Sequence, residues 1–279
     1  MTNKIYPCLW FDGNAKEAAE LYLSAFNDSR ITSDTPMVVS FELARQKFMA
    51  LNGGPMFAPT PAISFFAVCD TAAEMEHAWE RLLAGGEVLM PLDKYPWSEQ
   101  YGWVQDRFGV SWQLSLGKLE EVGQKFTPSL MFTNRQAGKA EEAITFYTGI
   151  FPGSSVVGVV RYDAQDDEVE GTVKHAQFKL GQQVFMAMDS SLSHSFGFTE
   201  GVSLVVSCET QQEIDNYWSR LTDGGHKSRC GWLKDRYGVS WQVVPAVLGE
   251  LMSDPEKAPR VVQAFMKMTK LDIAQLRNA

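Results

Sequence analysis

The side chains best placed to do chemistry in this chain come in two matched sets. Ser111 and Gln113 stand two residues apart, and Ser240 and Gln242 repeat them. Each pair lies in an eight-residue phrase that occurs twice, Asp106-Arg107-Phe108-Gly109-Val110-Ser111-Trp112-Gln113 and Asp235-Arg236-Tyr237-Gly238-Val239-Ser240-Trp241-Gln242. The copies differ only by Phe108 against Tyr237. Side chains two apart on a strand share a face. The Ser and Gln of each copy therefore offer a hydroxyl and an amide to one side, while Val110, Trp112 and Leu114, or Val239, Trp241 and Val243, pack the other. Neutral groups of this kind can hydrogen-bond a polar organic molecule. They are weak ligands for a transition metal. The Asp can hold the turn through its own backbone, and the Gly can supply a positive φ. The spacing thus predicts turn glycines at 109 and 238, buried indoles at 112 and 241, and Ser and Gln aimed into a cleft.

The four histidines add little acid–base chemistry. His77 sits on a helix surface, His194 in a Ser-rich loop, and His226 beside a helix-ending Gly-Gly. His175 alternates with Gln177 and Lys179, opposite Ala176, Phe178 and Leu180, and so joins the cleft candidates. No Ser-His-Asp order or nucleophile elbow is visible. No Gly-rich strand-to-helix turn is present to cradle a nucleotide-like cofactor.

The elements that must position these residues repeat as well. Ile5–Phe11 reads as a strand, with Asn14 as the N-cap of a helix over 15–26 carrying Ala18, Leu21, Tyr22 and Phe26 at helical spacing. A hairpin follows over 38–52, then a second strand at 63–69, a helix at 72–83 and a loop at 90–103. After a polar linker over 117–126 the order restarts. Helical and strand landmarks recur, but the offset between copies falls from 139 to 129 residues before the signature phrase, so the first half carries ten more residues in its Pro- and aromatic-rich loop. Strands mixed with one helix per unit predict an α+β fold of four strand–helix–strands units. They divide into domains over 1–120 and 127–247, with a helical tail over 248–279 in two pieces. The tail is expected to pack on its own protein or across a homodimer.

Bulk properties narrow the partners. A formal net charge of −9 opposes general nucleic-acid binding and docking on anionic membranes. No apolar run approaches the roughly 20 residues of a membrane span. The start, Met1-Thr2-Asn3-Lys4, has neither the basic nor the apolar region of a signal peptide. Cys8, Cys69, Cys208 and Cys230 form no CxxC pair and read as free thiols. A cytoplasmic protein is the expectation.

Three phrases together resemble one family. They are Pro7-Cys8-Leu9-Trp10-Phe11-Asp12-Gly13, the Gly-Trp-x-x-Asp-Arg-Phe/Tyr-Gly-Val-Ser-Trp-Gln segments at 102–113 and 231–242, and Ala264-Phe265-Met266-Lys267-Met268-Thr269-Lys270-Leu271-Asp272-Ile273. The chain is similar to PhnB-like proteins, a group labelled 3-demethylubiquinone-9 3-methyltransferase, within the vicinal oxygen chelate superfamily of glyoxalase I, bleomycin-resistance proteins and extradiol dioxygenases. The resemblance implies tandem glyoxalase-like domains, two βαβββ units per half, each pair curling around a cleft. Metal-using members end the signature strand in a ligand Glu. The matching positions here are Gln113 and Gln242. The histidine slots fall near Tyr6 or Cys8, Ile63 or Ser64, Thr127 or Ser129, and Val202 or Ser203, none of them His. Asn52 and Asp189 close the remaining strands. The resemblance thus implies a small-molecule-binding protein with no metal and no cofactor. The cleft candidates are Trp10, Asn52, Ser111, Gln113, His175, Asp189, Ser240 and Gln242. Asp189 and His175 with Gln242 form the one exception that could gather a metal. Two alternatives stand beside this reading. One is a metal-dependent lyase or dioxygenase. The other is a drug-sequestering module in which Trp10, Trp97 and Trp103 stack on a flat ligand.

Overall fold

Alternation and helix-period stripes resolve into four strand–helix–strands units in a computed structural model that describes residues 4–279. Residues 1–3, read above for the absence of a leader, lie outside the described residues. The first unit is β1 (Ile5–Phe11), α1 (Ala15–Ala25), β2 (Ser29–Asp34), β3 (Val38–Leu43) and β4 (Gln46–Asn52). The second is β5 (Ile63–Cys69), α2 (Ala72–Leu83), β6 (Glu87–Tyr95), β7 (Ser98–Gln105) and β8 (Ser111–Leu116). The linker carries a short α3 (Leu119–Val122). The third is β9 (Phe126–Phe132), α4 (Ala140–Ile150), β10 (Ser155–Arg161), β11 (Val173–Leu180) and β12 (Gln183–Asp189). The fourth is β13 (Val202–Cys208), α5 (Gln211–Leu221), β14 (His226–Lys227), β15 (Trp232–Lys234) and β16 (Ser240–Pro245). The tail forms α6 (Leu248–Ser253), α7 (Ala258–Lys267) and α8 (Ile273–Arg277), three pieces rather than two.

Compact packing divides the chain into residues up to Tyr6 with Ser203–Ala279, and Pro7–Val202. The larger unit contains one complete eight-stranded sheet, ordered β10-β11-β12-β9-β5-β8-β7-β6. It joins the second βαβββ unit to the third, because β5 pairs antiparallel with β9, Ser64 opposite Ser129. This corrects the expectation that the two units of each half curl around a shared cleft. The reason lies in the linker. It carries the chain from the end of β8 over β5 and lays β9 on the far side of β5.

Two edge strands go beyond the pattern read from sequence. Ser29–Asp34 carries too few apolar residues to stand out as a strand, yet it pairs with β3 as an exposed edge. The segment 90–103, read as a loop, is most of a hairpin of β6 and β7. Pro91 fits because β6 is the sheet's outermost strand, where a missing N–H leaves no ladder bond unmade.

Helices cover one face of this sheet. α1 brings Tyr22 and Phe26 onto Trp112, with ring centroids 4.9 and 5.2 Å away, and Phe65 of β5 adds a third ring at 5.3 Å. In the smaller unit the tail's apolar side closes over Val261, Leu271 and Leu276, packed against Val244, Leu248 and Phe265. Among the described residues no helix is long and apolar enough to cross a membrane.

Candidate functional site

The signature phrase is first a turn. Asp106 Oδ1 accepts from the backbone N–H of Phe108 at 2.8 Å and of Val110 at 3.0 Å, while Oδ2 accepts from Trp112 Nε1 at 3.0 Å. Asp235 makes the same three contacts with Tyr237, Val239 and Trp241 at 2.9, 3.1 and 2.8 Å. Gly109 and Gly238 adopt φ of +84° and +87°, and both indoles are 0 % exposed. The carboxylate therefore ties turn and core together. Burial pushes the Asp106 carboxyl up to about 6, against the pull of the hydrogen bonds it accepts.

With Trp112 fixed on the helix side, alternation puts Ser111 and Gln113 on the opposite side of the sheet, which we call its concave face. There Gln113, only 8 % exposed, is hydrogen-bonded at both ends of its amide. Its Oε1 accepts from the Tyr101 hydroxyl at 2.8 Å, and its Nε2 donates to Ser64 Oγ at 2.7 Å. Burial raises the Tyr101 phenol far above its usual range, which keeps it a donor. Ser111 Oγ accepts from Trp103 Nε1 at 2.5 Å. That bond fixes the plane of a half-buried indole that lines a recess.

Two recesses open in the larger unit, with no lining residue in common. One, of about 570 Å³, lies beside Phe66, Val68, Trp97, Ser115 and Val122. The other, of about 320 Å³, has apolar walls from Met90, Trp103, Met131, Met188, Leu192 and Phe196, and a polar wall from Tyr162, Glu168, Ser190 and His194. Glu168 Oε1 accepts from Ser190 Oγ at 2.6 Å, and Oε2 accepts from the N–H and hydroxyl of Ser191 at 2.5 and 2.6 Å. Partial burial opposes its charge, but these bonds outweigh it and hold the carboxyl below its usual range. His194 Nε2 lies 2.8 Å from Ser190 Oγ. Because the Ser190 proton is committed to Glu168, that nitrogen is the donor.

The other candidates scatter. Asn52 turns away from the concave space: its Oδ1 accepts from Ala15 N at 2.9 Å, supplying the cap assigned above to Asn14, whose side chain makes no capping bond. Asp189 does the same for α4, accepting from Ala140 N and Val173 N, both at 3.0 Å. It shares its strand face with buried Phe185, so the Asp189–His175 pairing is ruled out by phase. His175 is exposed on the sheet, four strands from β8. Trp10 donates to Gly54 O at 2.7 Å and meets Phe57 edge-on, pinning a Gly-Pro connector. In the smaller unit Gln242 Nε2 donates to Ser203 Oγ at 3.0 Å, and Ser240 is wholly buried. Tyr101, Met131, Met188 and Glu168 escaped the sequence reading. A signal for the last existed in the acidic run Asp163, Asp166, Asp167, Glu168, Glu170 shortly before Ser190-Ser191.

A resident metal has no fitting donor set here. The position that would supply a carboxylate holds a doubly bonded amide. Among the described residues no three His, Cys, Asp or Glu side chains come close enough to hold one ion.

The family model described as 3-demethylubiquinone-9 3-methyltransferase matches twice, over residues 3–115 and 124–244. No curated protein matches. A PhnB protein of Bacillus cereus is 36 % identical over 41 % of this chain and all of its own, with a TM-score of 0.39. A protein of Pseudomonas aeruginosa is 27 % identical over 41 % of this chain and 98 % of its own, with a TM-score of 0.36. Glyoxalase I of Zea mays is 13 % identical but covers 90 % of this chain and 95 % of its own, with a TM-score of 0.58, a likeness of fold.

Proposed function

The chain belongs to the PhnB-like, 3-demethylubiquinone-9 3-methyltransferase family of glyoxalase-fold proteins, and from that premise we propose that it binds a small organic molecule on the concave face of its eight-stranded sheet without a resident metal. The observation that carries this reading is Gln113. Its amide stands where the resemblance expects a metal-ligating carboxylate, and both of its ends are used by buried Tyr101 and Ser64. A metal there would have to break both bonds and would gain one weak neutral donor. The mixed apolar and polar lining beside Trp103 suits an organic ligand instead. Methyl transfer has little support from the chain, since the turns after β1, β5, β9 and β13 lack the glycine run that cradles a nucleotide-like methyl donor.

A small-molecule thermal-shift screen, run with and without added divalent metals, tests the proposal. A ligand at 100 times its Kd should add about 2.7 kcal/mol of stability. Stabilisation without metal is expected. Hits that appear only with metal would overturn it.

A further inference from the structure

Within that same cleft, the cavity of about 320 Å³ has one apolar wall and one polar wall. Its sheet-side wall is Met90, Trp103, Met131 and Met188, which offers no charge. Thioether side chains are adaptable and polarizable, and they pack well on flat rings. Trp103, held in plane by Ser111, can stack on such a ring. The opposite wall comes from two loops and carries Glu168, Ser190 and His194. The Glu168 carboxylate is immobilised by its bonds to Ser190 and Ser191. Those donors are neutral, so they orient the charge without cancelling it, and His194 beside them adds a favourable electrostatic pull on the carboxylate. Among the described residues no lysine or arginine pairs with Glu168; nearby Lys174 is engaged with Asp166. Asp163, Asp167 and Glu170 lie on the same loop and deepen the negative potential at this wall.

A fixed carboxylate bordering an apolar recess attracts an opposite charge more strongly than one in open water, because the surroundings screen it less. It also disfavours anions. We propose, resting on the cleft as the binding site, that its ligand is an apolar, ring-bearing amine, with the protonated nitrogen on Glu168 and the ring between Trp103 and the methionines. His194 donates to Ser190 through Nε2 and completes the hydrogen-bonded row behind the carboxylate.

Two shape-matched probes test this, 2-naphthylmethylamine as the cation and 2-naphthylmethanol as the neutral form. Binding is read on metal-free protein carrying ¹³C-methyl methionine, with Met90, Met131 and Met188 as local reporters. The amine should bind at least about tenfold more tightly than the alcohol, a difference of about 1.4 kcal/mol. Glu168→Gln should remove that preference, bringing the amine and the alcohol to within about twofold of each other. Met188→Ala should weaken both probes by similar factors, as expected of a shared apolar wall. Equal binding of the two probes, or an amine preference that survives Glu168→Gln, would overturn the amine assignment while leaving the cleft as a binding site. If neither probe moves the three methionine signals, and no other member of the thermal-shift screen does, both the assignment and the binding reading fall.

Discussion

The two copies of the signature phrase occupy equivalent turns and differ in what surrounds them. In both, an Asp carboxylate gathers two backbone N–H groups and an indole N–H, a glycine takes positive φ, and a Gln reaches a Ser on the neighbouring strand. The hairpin leading into each turn is different. In the first copy it is the long β6–β7 pair, which supplies Tyr101 to Gln113 and Trp103 to Ser111. In the second it is the stub β14–β15, where Cys230 stands at the position of Tyr101. The backbone N–H groups of Cys230 and Gly231 donate to Met268 O and Thr269 O of the tail, at 2.8 and 2.9 Å. The tail therefore takes up the backbone beside the short hairpin, and Ser240 Oγ has no hydrogen-bond partner among the described residues. The turn bonds and the buried indole are the same in both copies. The hairpin is where the copies differ: Trp232 keeps the place of Trp103, opposite Gln242, but Cys230 replaces Tyr101 and its hydroxyl.

The comparison should hold most strongly in the core. Trp112→Ala and Trp241→Ala should each cost about 3–5 kcal/mol, as for other fully buried aromatics, measured by denaturant unfolding. A cost below about 1 kcal/mol at either site, within the surface range, would break the equivalence. Next come the carboxylates. Asp106→Asn keeps an acceptor for the turn but must either lose or reverse a contact, at about 1–3 kcal/mol, and Asp235→Asn should match it.

The Asp106 change also predicts a pH effect. Its folded-state value is raised by burial to about 6 from an ordinary 3.8. The unfolded chain therefore binds fewer protons in that window. The contribution of Asp106 to stability is fully present below pH 3.8 and is lost as pH rises through 6. Comparing wild type with Asp106→Asn across pH 3 to 7 should isolate this slope. An unchanged slope would exclude Asp106 as its source.

A smaller effect is expected at the turn glycines. Ala at 109 or 238 must hold a positive φ, costing about 1 kcal/mol or more. The smallest test separates the copies. Ser111→Ala should lose about 1 kcal/mol with its Trp103 bond, whereas Ser240→Ala, which removes a buried hydroxyl with no partner, should be neutral or stabilising. Equal losses would mean that the two concave faces are alike after all.

Much of this architecture is written locally. The Asp-x-x-Gly turn, the alternating Trp and Gln, and the apolar stripe of α1 are each set by neighbours a few residues apart, so the four units could be read directly. The pairing of β5 with β9 could not, because both strands are buried on both faces and local pattern names no partner. Asn52 and Asp189 misled for a related reason. A polar residue at a strand's end looks like a cleft residue, but here it faces a helix start whose free N–H groups need an acceptor. The Glu168 wall lies in loops, which carry no periodicity to read. Tyr101 was visible only as one aromatic among several, and its role depends on the register of β7 against β8.

The central claim is that the concave face beside Gln113 binds an organic molecule with no metal. The most direct test titrates the strongest hit of the screen into tag-free protein, after dialysis against a chelator and elemental analysis of the same sample. Binding with unchanged affinity after chelation, at far less than one transition metal per chain, is the predicted result. One tightly held metal per chain, with ligand binding lost on its removal and restored on its return, would contradict the account.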